Sequence, residues 1–106
     1  MKPLDILIEG ESDTVVVRLV GEFDIAGVRD FHRVLARVQE GEPGRICIDL
    51  RELSFMGATG LRALLDLETR GRRDGFELSV VKGPRPVQRV FEMTGVDRRL
   101  TLVDEP

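Results

Sequence analysis

The sequence is short of nearly everything from which catalytic and metal centres are built. Among its 106 residues there is one cysteine, Cys47, and one histidine, His32. A lone thiol cannot close an internal disulfide, which suits a reducing compartment. A lone imidazole without neighbouring thiols cannot complete a metal site. His32 lies beside the Phe31/Leu35 stripe and reads as a solvated helical side chain, and Cys47, between two isoleucines, as a small hydrophobe. Serine occurs only at Ser12, Ser54 and Ser79, and none stands in a G-x-S-x-G turn, so no nucleophile–base pair can be assembled. Phosphate-cradling glycine motifs are missing as well. Carboxylates are plentiful, but no pair is marked out by an apolar setting as acid and base. The sequence therefore predicts no catalytic residue, no metal and no cofactor.

Long apolar runs are lacking too. Nothing approaches the ~20 residues of a membrane span, and Met1-Lys2-Pro3-Leu4-Asp5 opens without the apolar stretch of a signal peptide. The expectation is a cytoplasmic protein with no membrane partner. A surplus of positive charge is also wanting: the net charge is −3, which argues against a nucleic-acid partner. The arginines at Arg70, Arg72 and Arg73, and at Arg85 and Arg89, are explained by solvated helix faces and ends.

What remains is the profile of one globular domain spanning 1–106, with 42% hydrophobic and 33% charged residues. Leu4 to Glu9 and the β-branched run Thr14 to Val20 flank a Gly10-Glu11-Ser12-Asp13 turn and predict a hairpin. Val28, Phe31, Leu35 and Val38 form one stripe of a helix that Gly41 can close. Arg45 to Leu50 is a third strand, with Ile46, Ile48 and Leu50 inward. A second helix starts near Thr59, has Leu61, Leu64, Leu65 and Glu68 along its inner edge, and stops at Gly75. Phe76 to Val81 is a fourth strand. Pro84 and Pro86 lead into a third helix carrying Val87, Val90, Phe91 and Thr94, and Gly95 ends it. Thr101 to Val103 is a weak last strand. Such alternation means an α/β fold with parallel strands joined by right-handed crossovers. Arg18, Arg45, Asp49, Glu77 and Ser79 on the opposite side of the strands predict helices mainly on one face and a partly wet other face. Phe31, Leu35, Ile48, Leu64, Leu65, Val90 and Phe91 are the expected core.

One segment is unlike generic scaffold: Asp49-Leu50-Arg51-Glu52-Leu53-Ser54-Phe55-Met56-Gly57-Ala58-Thr59-Gly60-Leu61. A strand runs through an apolar pair into a glycine-flanked helix start. Small residues there let another backbone approach, and first-turn N–H groups are free for an anion or a partner's carboxylate. The plainer alternative is an N-cap at Thr59 with glycines merely turning the chain. The residues alone leave both open.

At this segment the sequence resembles the STAS domain family, and in particular the bacterial anti-anti-sigma factors, or anti-sigma factor antagonists. The likeness also includes Val17-Arg18-Leu19-Val20-Gly21-Glu22-Phe23-Asp24, Ile48-Asp49-Leu50, Leu53-Ser54-Phe55-Met56 and Pro86-Val87-Gln88-Arg89-Val90-Phe91-Glu92-Met93-Thr94-Gly95. The resemblance implies an open βα superhelix with a mixed, mostly parallel sheet of about five strands. It also implies a non-enzyme that regulates transcription by binding an anti-sigma factor of the serine-protein kinase type, as a monomer or weak dimer. In such proteins the helix start reads Asp-Ser-Ser-Gly or Asp-Ser-Thr-Gly, and the hydroxyl after the Asp is the phosphorylation site. Here those two positions are Gly57 and Ala58, while Thr59, Gly60 and Leu61 match. Asp24 carries over beside them. The resemblance thus implies a partner-binding set of Asp24, Gly57, Ala58, Thr59 and Gly60, with the usual acceptor lost and Thr59 the alternative phosphorylation site. A different role within the family, as scaffold subunit of an assembly such as a lipid-transport ATPase complex, is the alternative.

Overall fold

A computed structural model describes residues 3–106. The elements run β1 (Leu4–Glu11), β2 (Thr14–Phe23), α1 (Ile25–Glu40), β3 (Arg45–Met56), α2 (Ala58–Asp74), β4 (Glu77–Val81), α3 (Arg85–Thr94), a 3-10 turn (Val96–Arg98) and β5 (Leu102–Val103). The predicted hairpin is β1 antiparallel to β2, and β2, β3, β4 and β5 then lie side by side in sequence order, all parallel. Each helical crossover joins neighbouring parallel strands, and right-handed connections bring all three helices to the same face. There Val17, Ile48 and Val80 stand in one row of the sheet. They form a single buried core with Phe31 and Leu35 of α1, Leu61, Leu64 and Leu67 of α2, and Val87 and Phe91 of α3. The fold is the α/β arrangement expected, with a mixed sheet and helices on one face.

Local chemistry explains where the helices stop. Gly75 (φ 91°) and Gly95 (φ 76°) take the left-handed conformation at the ends of α2 and α3, which only glycine adopts without steric cost. Gly41 does not do this for α1. It stays right-handed, and the turn is made by Glu42, at φ 51°. Leu67 replaces Leu65 in the fully buried stripe of α2; Leu65 and Val90 are half-buried against the core rather than within it. Gly71 is small because any side chain there would meet Phe76.

Two expectations are corrected. The third strand does not end at Leu50 but continues to Met56, following β2 through two register shifts, one between Arg18 and Val20 and one between Gly21 and Glu22. Extra residues accommodated as bulges break the alternation that marks a strand in sequence. The second correction concerns the helix-free face, whose centre is dry. Glu77 is exposed and Arg18 half-buried, but Cys47, Ser79 and Val81 are buried and Asp49 has no exposed surface at all. Arginines close over it. Arg51 grips the Asp49 carboxylate through Nη2 (2.8 Å) and Nε (3.1 Å), its backbone N–H donates at 3.0 Å, and Arg18 Nε stands 3.5 Å away. Arg18 also reaches Glu9 and Glu52, each at 3.6 Å. The strand β1 forms one free edge of the sheet, with Leu7 and Ile8 about half exposed.

Burial pushes the Asp49 carboxyl up, yet the hydrogen bonds from Arg51 and the charges of Arg51 and Arg18 outweigh it and hold the group below the ordinary aspartate value. A lowered native pKa means that the unfolded chain binds the proton more readily, so this contribution is complete at neutral pH and fades as the pH falls through the acid range. Urea unfolding at a series of pH values should show Asp49→Asn losing most stability, relative to wild type, near neutrality and progressively less in acid. Leu64→Ala, at a site with no exposed surface, should cost about 2–5 kcal/mol. A loss in urea unfolding below about 0.5 kcal/mol, the size of surface effects, would place Leu64 outside the core.

Candidate docking surface at the heads of two helices

The last pairs of the β2–β3 ladder are Glu22 with Phe55 and Phe23 with Met56. Both strands therefore end level, and each runs at once into a helix. Asp24 is the N-cap of α1 and Gly57 the N-cap of α2. The Gly57 N–H donates to the Phe23 carbonyl at 2.9 Å, tying the two starts together. Gly60 completes the junction: a Cβ there would stand 2.4 Å from the Phe23 carbonyl oxygen. Only a glycine lets the first turn of α2 sit so close to the end of β2.

Asp24 is the preferred kind of residue for an N-cap, because its carboxylate can accept from the first-turn N–H groups. It does not do so here. Its backbone carbonyl accepts from Gly27 and Val28 (2.9 and 3.1 Å), but its side chain makes no capping bond to α1. Instead the carboxylate crosses to α2, where Thr59 Oγ1 donates to Asp24 Oδ1 at 2.8 Å. Among the described residues no hydrogen bond reaches Asp24 Oδ2. The positive ends of two helix dipoles thus face one carboxylate.

Of the two readings that the residues left open, the N-cap at Thr59 does not hold. Gly57 holds the cap position, Ala58 is the first helical residue and Thr59 the second, and the Thr59 hydroxyl is a donor to Asp24 rather than an acceptor of backbone N–H. Asp24, Gly57, Ala58, Thr59 and Gly60 are all brought together. Their exposure differs: Ala58 is exposed, Asp24 and Thr59 are half-buried, and Gly57 and Gly60 are buried. Two apolar side chains that periodicity did not single out flank them. Ile25, 75% exposed, follows Asp24 at the head of α1, and Phe55, 47% exposed, precedes the turn. Its pairing with Glu22 puts Phe55 on the strand face opposite the core, a placement the bulges hide from any period-two reading. A cleft of about 340 Å³ opens beside Asp24, bounded by Leu4, Glu22, Asp30 and Phe55. Among the described residues no three His, Cys, Asp or Glu side chains converge as a metal site would require. Among the described residues no helix is long and apolar enough to cross a membrane.

An exposed small residue at a helix head, a half-buried carboxylate beside it and two exposed apolar side chains make a surface suited to docking another protein. A sequence model of the family, described as "Mlab, STAS domain", matches residues 6–104. The chain belongs to the STAS domain family. A protein of Mycobacterium tuberculosis described as an anti-anti-sigma factor is 27% identical over 96 residues, which takes in 89% of this chain. The chain spans 65% of that relative's length. Among solved structures, an anti-sigma factor antagonist from Mycobacterium paratuberculosis is 24% identical with a TM-score of 0.86, covering 96% of this chain and 86% of that one. The unphosphorylated antagonist SpoIIAA of Bacillus is 21% identical with a TM-score of 0.80, covering 95% and 90%. These structural likenesses fix the fold.

The Thr59–Asp24 bond is a half-buried contact to a charged acceptor. Thr59→Val, which keeps the shape and removes the donor, should lower stability by about 1 kcal/mol in urea unfolding. A change within experimental error would show that the bond contributes nothing in solution.

Proposed function

We propose that this chain is an anti-sigma factor antagonist, acting stoichiometrically and without catalysis of its own. The observation that carries the reading is the head of α2, with Ala58 exposed, Thr59 half-buried and the Asp24 carboxylate beside them, on the fold that proteins described as such antagonists share. Asp24, Ala58 and Thr59 would form the contact, with Ile25 and Phe55 as apolar flanks. Gly57 and Gly60 would keep the backbone low enough for it. The partner is an anti-sigma factor of the serine-protein kinase type, and the consequence of binding is release of a sigma factor in the cytoplasm.

Ala58 stands at the position where the family resemblance places the phosphoacceptor, and it has no hydroxyl. The surface there is small and uncharged, the condition in which a phosphate's charge of about −1.5 to −2 is absent. The protein is therefore constitutively competent to bind. Thr59 is the alternative acceptor, and its hydroxyl is already committed as a donor to Asp24. Incubation with the partner kinase and ATP, followed by the mass of the intact chain, tests this. An unmodified chain that still binds is expected; stoichiometric phosphate on Thr59 would overturn it.

A second reading is favoured by the description of the matching family model, "Mlab, STAS domain", which is not that of an antagonist. In it the same surface serves a scaffold subunit of another assembly, such as a lipid-transport ATPase complex. Purification of the tagged protein from its native host separates the two. Recovery of a transporter ATPase and permease in stoichiometric amount, in place of an anti-sigma kinase, would establish the second.

A further inference from the structure

The closeness of Asp24 to the backbone of Gly57 has a physical implication for both residues. A Cβ built on Gly57 would lie 2.2 Å from Asp24 Oδ1, 2.3 Å from its Cγ and 2.8 Å from Oδ2. The carboxylate of Asp24 thus occupies the volume that any side chain at position 57 would fill. No other glycine of the α2 head is blocked by a side chain that could leave: Gly60 is opposed at 2.4 Å by the Phe23 backbone carbonyl. Asp24 meanwhile forgoes the capping bond to its own helix and accepts from Thr59 instead.

We propose that Gly57, Asp24 and Thr59 form a single latch: the absent side chain at position 57 is the seat of the Asp24 carboxylate, and Thr59 holds it there. The inference deepens the docking reading, on which its functional meaning rests. It makes Gly57 a positioning residue that decides where the negative charge of the surface stands. With glycine at 57, the carboxylate is drawn over the head of α2, Oδ1 is engaged by Thr59, and Oδ2 is left to a partner. With any side chain at 57, Asp24 is expelled, its charge returns toward the head of α1, and the Thr59 hydroxyl is released. An aspartate at 57 would go further, setting a second carboxylate into the same space against like charge.

The test needs no partner. In a double-mutant cycle, Gly57→Ala is made in the wild type and in Asp24→Ala, and the folding equilibrium is measured by urea unfolding. The latch predicts that Gly57→Ala lowers the folding constant at least ~5-fold more when Asp24 is present than when its carboxylate has been removed. In the Asp24→Ala background only the modest preference of an N-cap for glycine over alanine remains. Equal losses in the two backgrounds would overturn the proposal. If Gly57→Ala does not fold, the cycle is run between Asp24→Ala and Thr59→Val, which add no bulk. Coupling there supports the latch, and strict additivity overturns it. The carboxyl carbon resonance of Asp24 provides a second readout, since Gly57→Ala and Thr59→Val should each shift it. An unmoved resonance in both variants likewise overturns the latch. Failure to capture an anti-sigma kinase would sink the docking reading while leaving the cycle untouched, so the two can fail separately.

Discussion

Everything distinctive in this molecule depends on the parallel ladder between β2 and β3 being carried to its last rung. Because Phe23 pairs with Met56 and its carbonyl accepts from Gly57, two strands end at the same height and two helices begin side by side. Parallel pairing alone does not ensure this. β3 contains more residues than β2 over the same span, and the surplus is absorbed in two bulges. Bulges near a functional surface commonly re-aim side chains, and here they leave Phe55 half exposed and Met56 in the core. A ladder that kept strict register would bring a different residue level with Phe23, and the head of α2 would not meet Asp24.

The helix-free face closes over the same ladder from the other side. Asp49 sits at the centre of a row running Leu7, Arg18, Asp49, Val81 and Val103 across all five strands. An unpaired carboxylate there would carry a heavy desolvation cost, which is offset by a bidentate arginine and a backbone donor from the same residue, Arg51. Arg51 lies at the first bulge, so the ion pair and the irregularity of β3 share one residue. The charge cluster and the turn at Gly57 thus lie at two points of one continuous strand and its end.

Much of this was legible in the residues, and the failures have identifiable causes. Gly75 and Gly95 announced the ends of their helices because their left-handed conformation is a local property. The buried row Ile46, Ile48 and Leu50 followed from period-two alternation in a strand segment free of bulges. The continuation of β3 was hidden because Arg51 and Glu52 are polar and the bulges shift every later side chain. The burial of Asp49 was hidden because a charge on the outer face reads as solvated unless its arginines are known to fold over it. Gly57 and Thr59 stood out in the glycine-flanked helix start, whereas Asp24 entered the site only through resemblance. Their mutual geometry was out of reach, since Thr59 and Asp24 are 35 positions apart and a local cap at Thr59 fitted the residues equally well.

The free edge of the sheet bears on how copies of this chain meet. β1 is paired with β2 along one side only, and such an edge is a template for continuing the sheet into a neighbour. Two copies joined antiparallel about Leu7 would set each Asp5 opposite a Glu9, on the same face and within cross-strand distance. Like charges directly opposed across a ladder are unfavourable. The alternation of Asp5, Leu7 and Glu9 therefore acts as an electrostatic fence: the half-exposed leucine is present, but its flanks repel a twin. In that register charge holds two copies of the sheet apart.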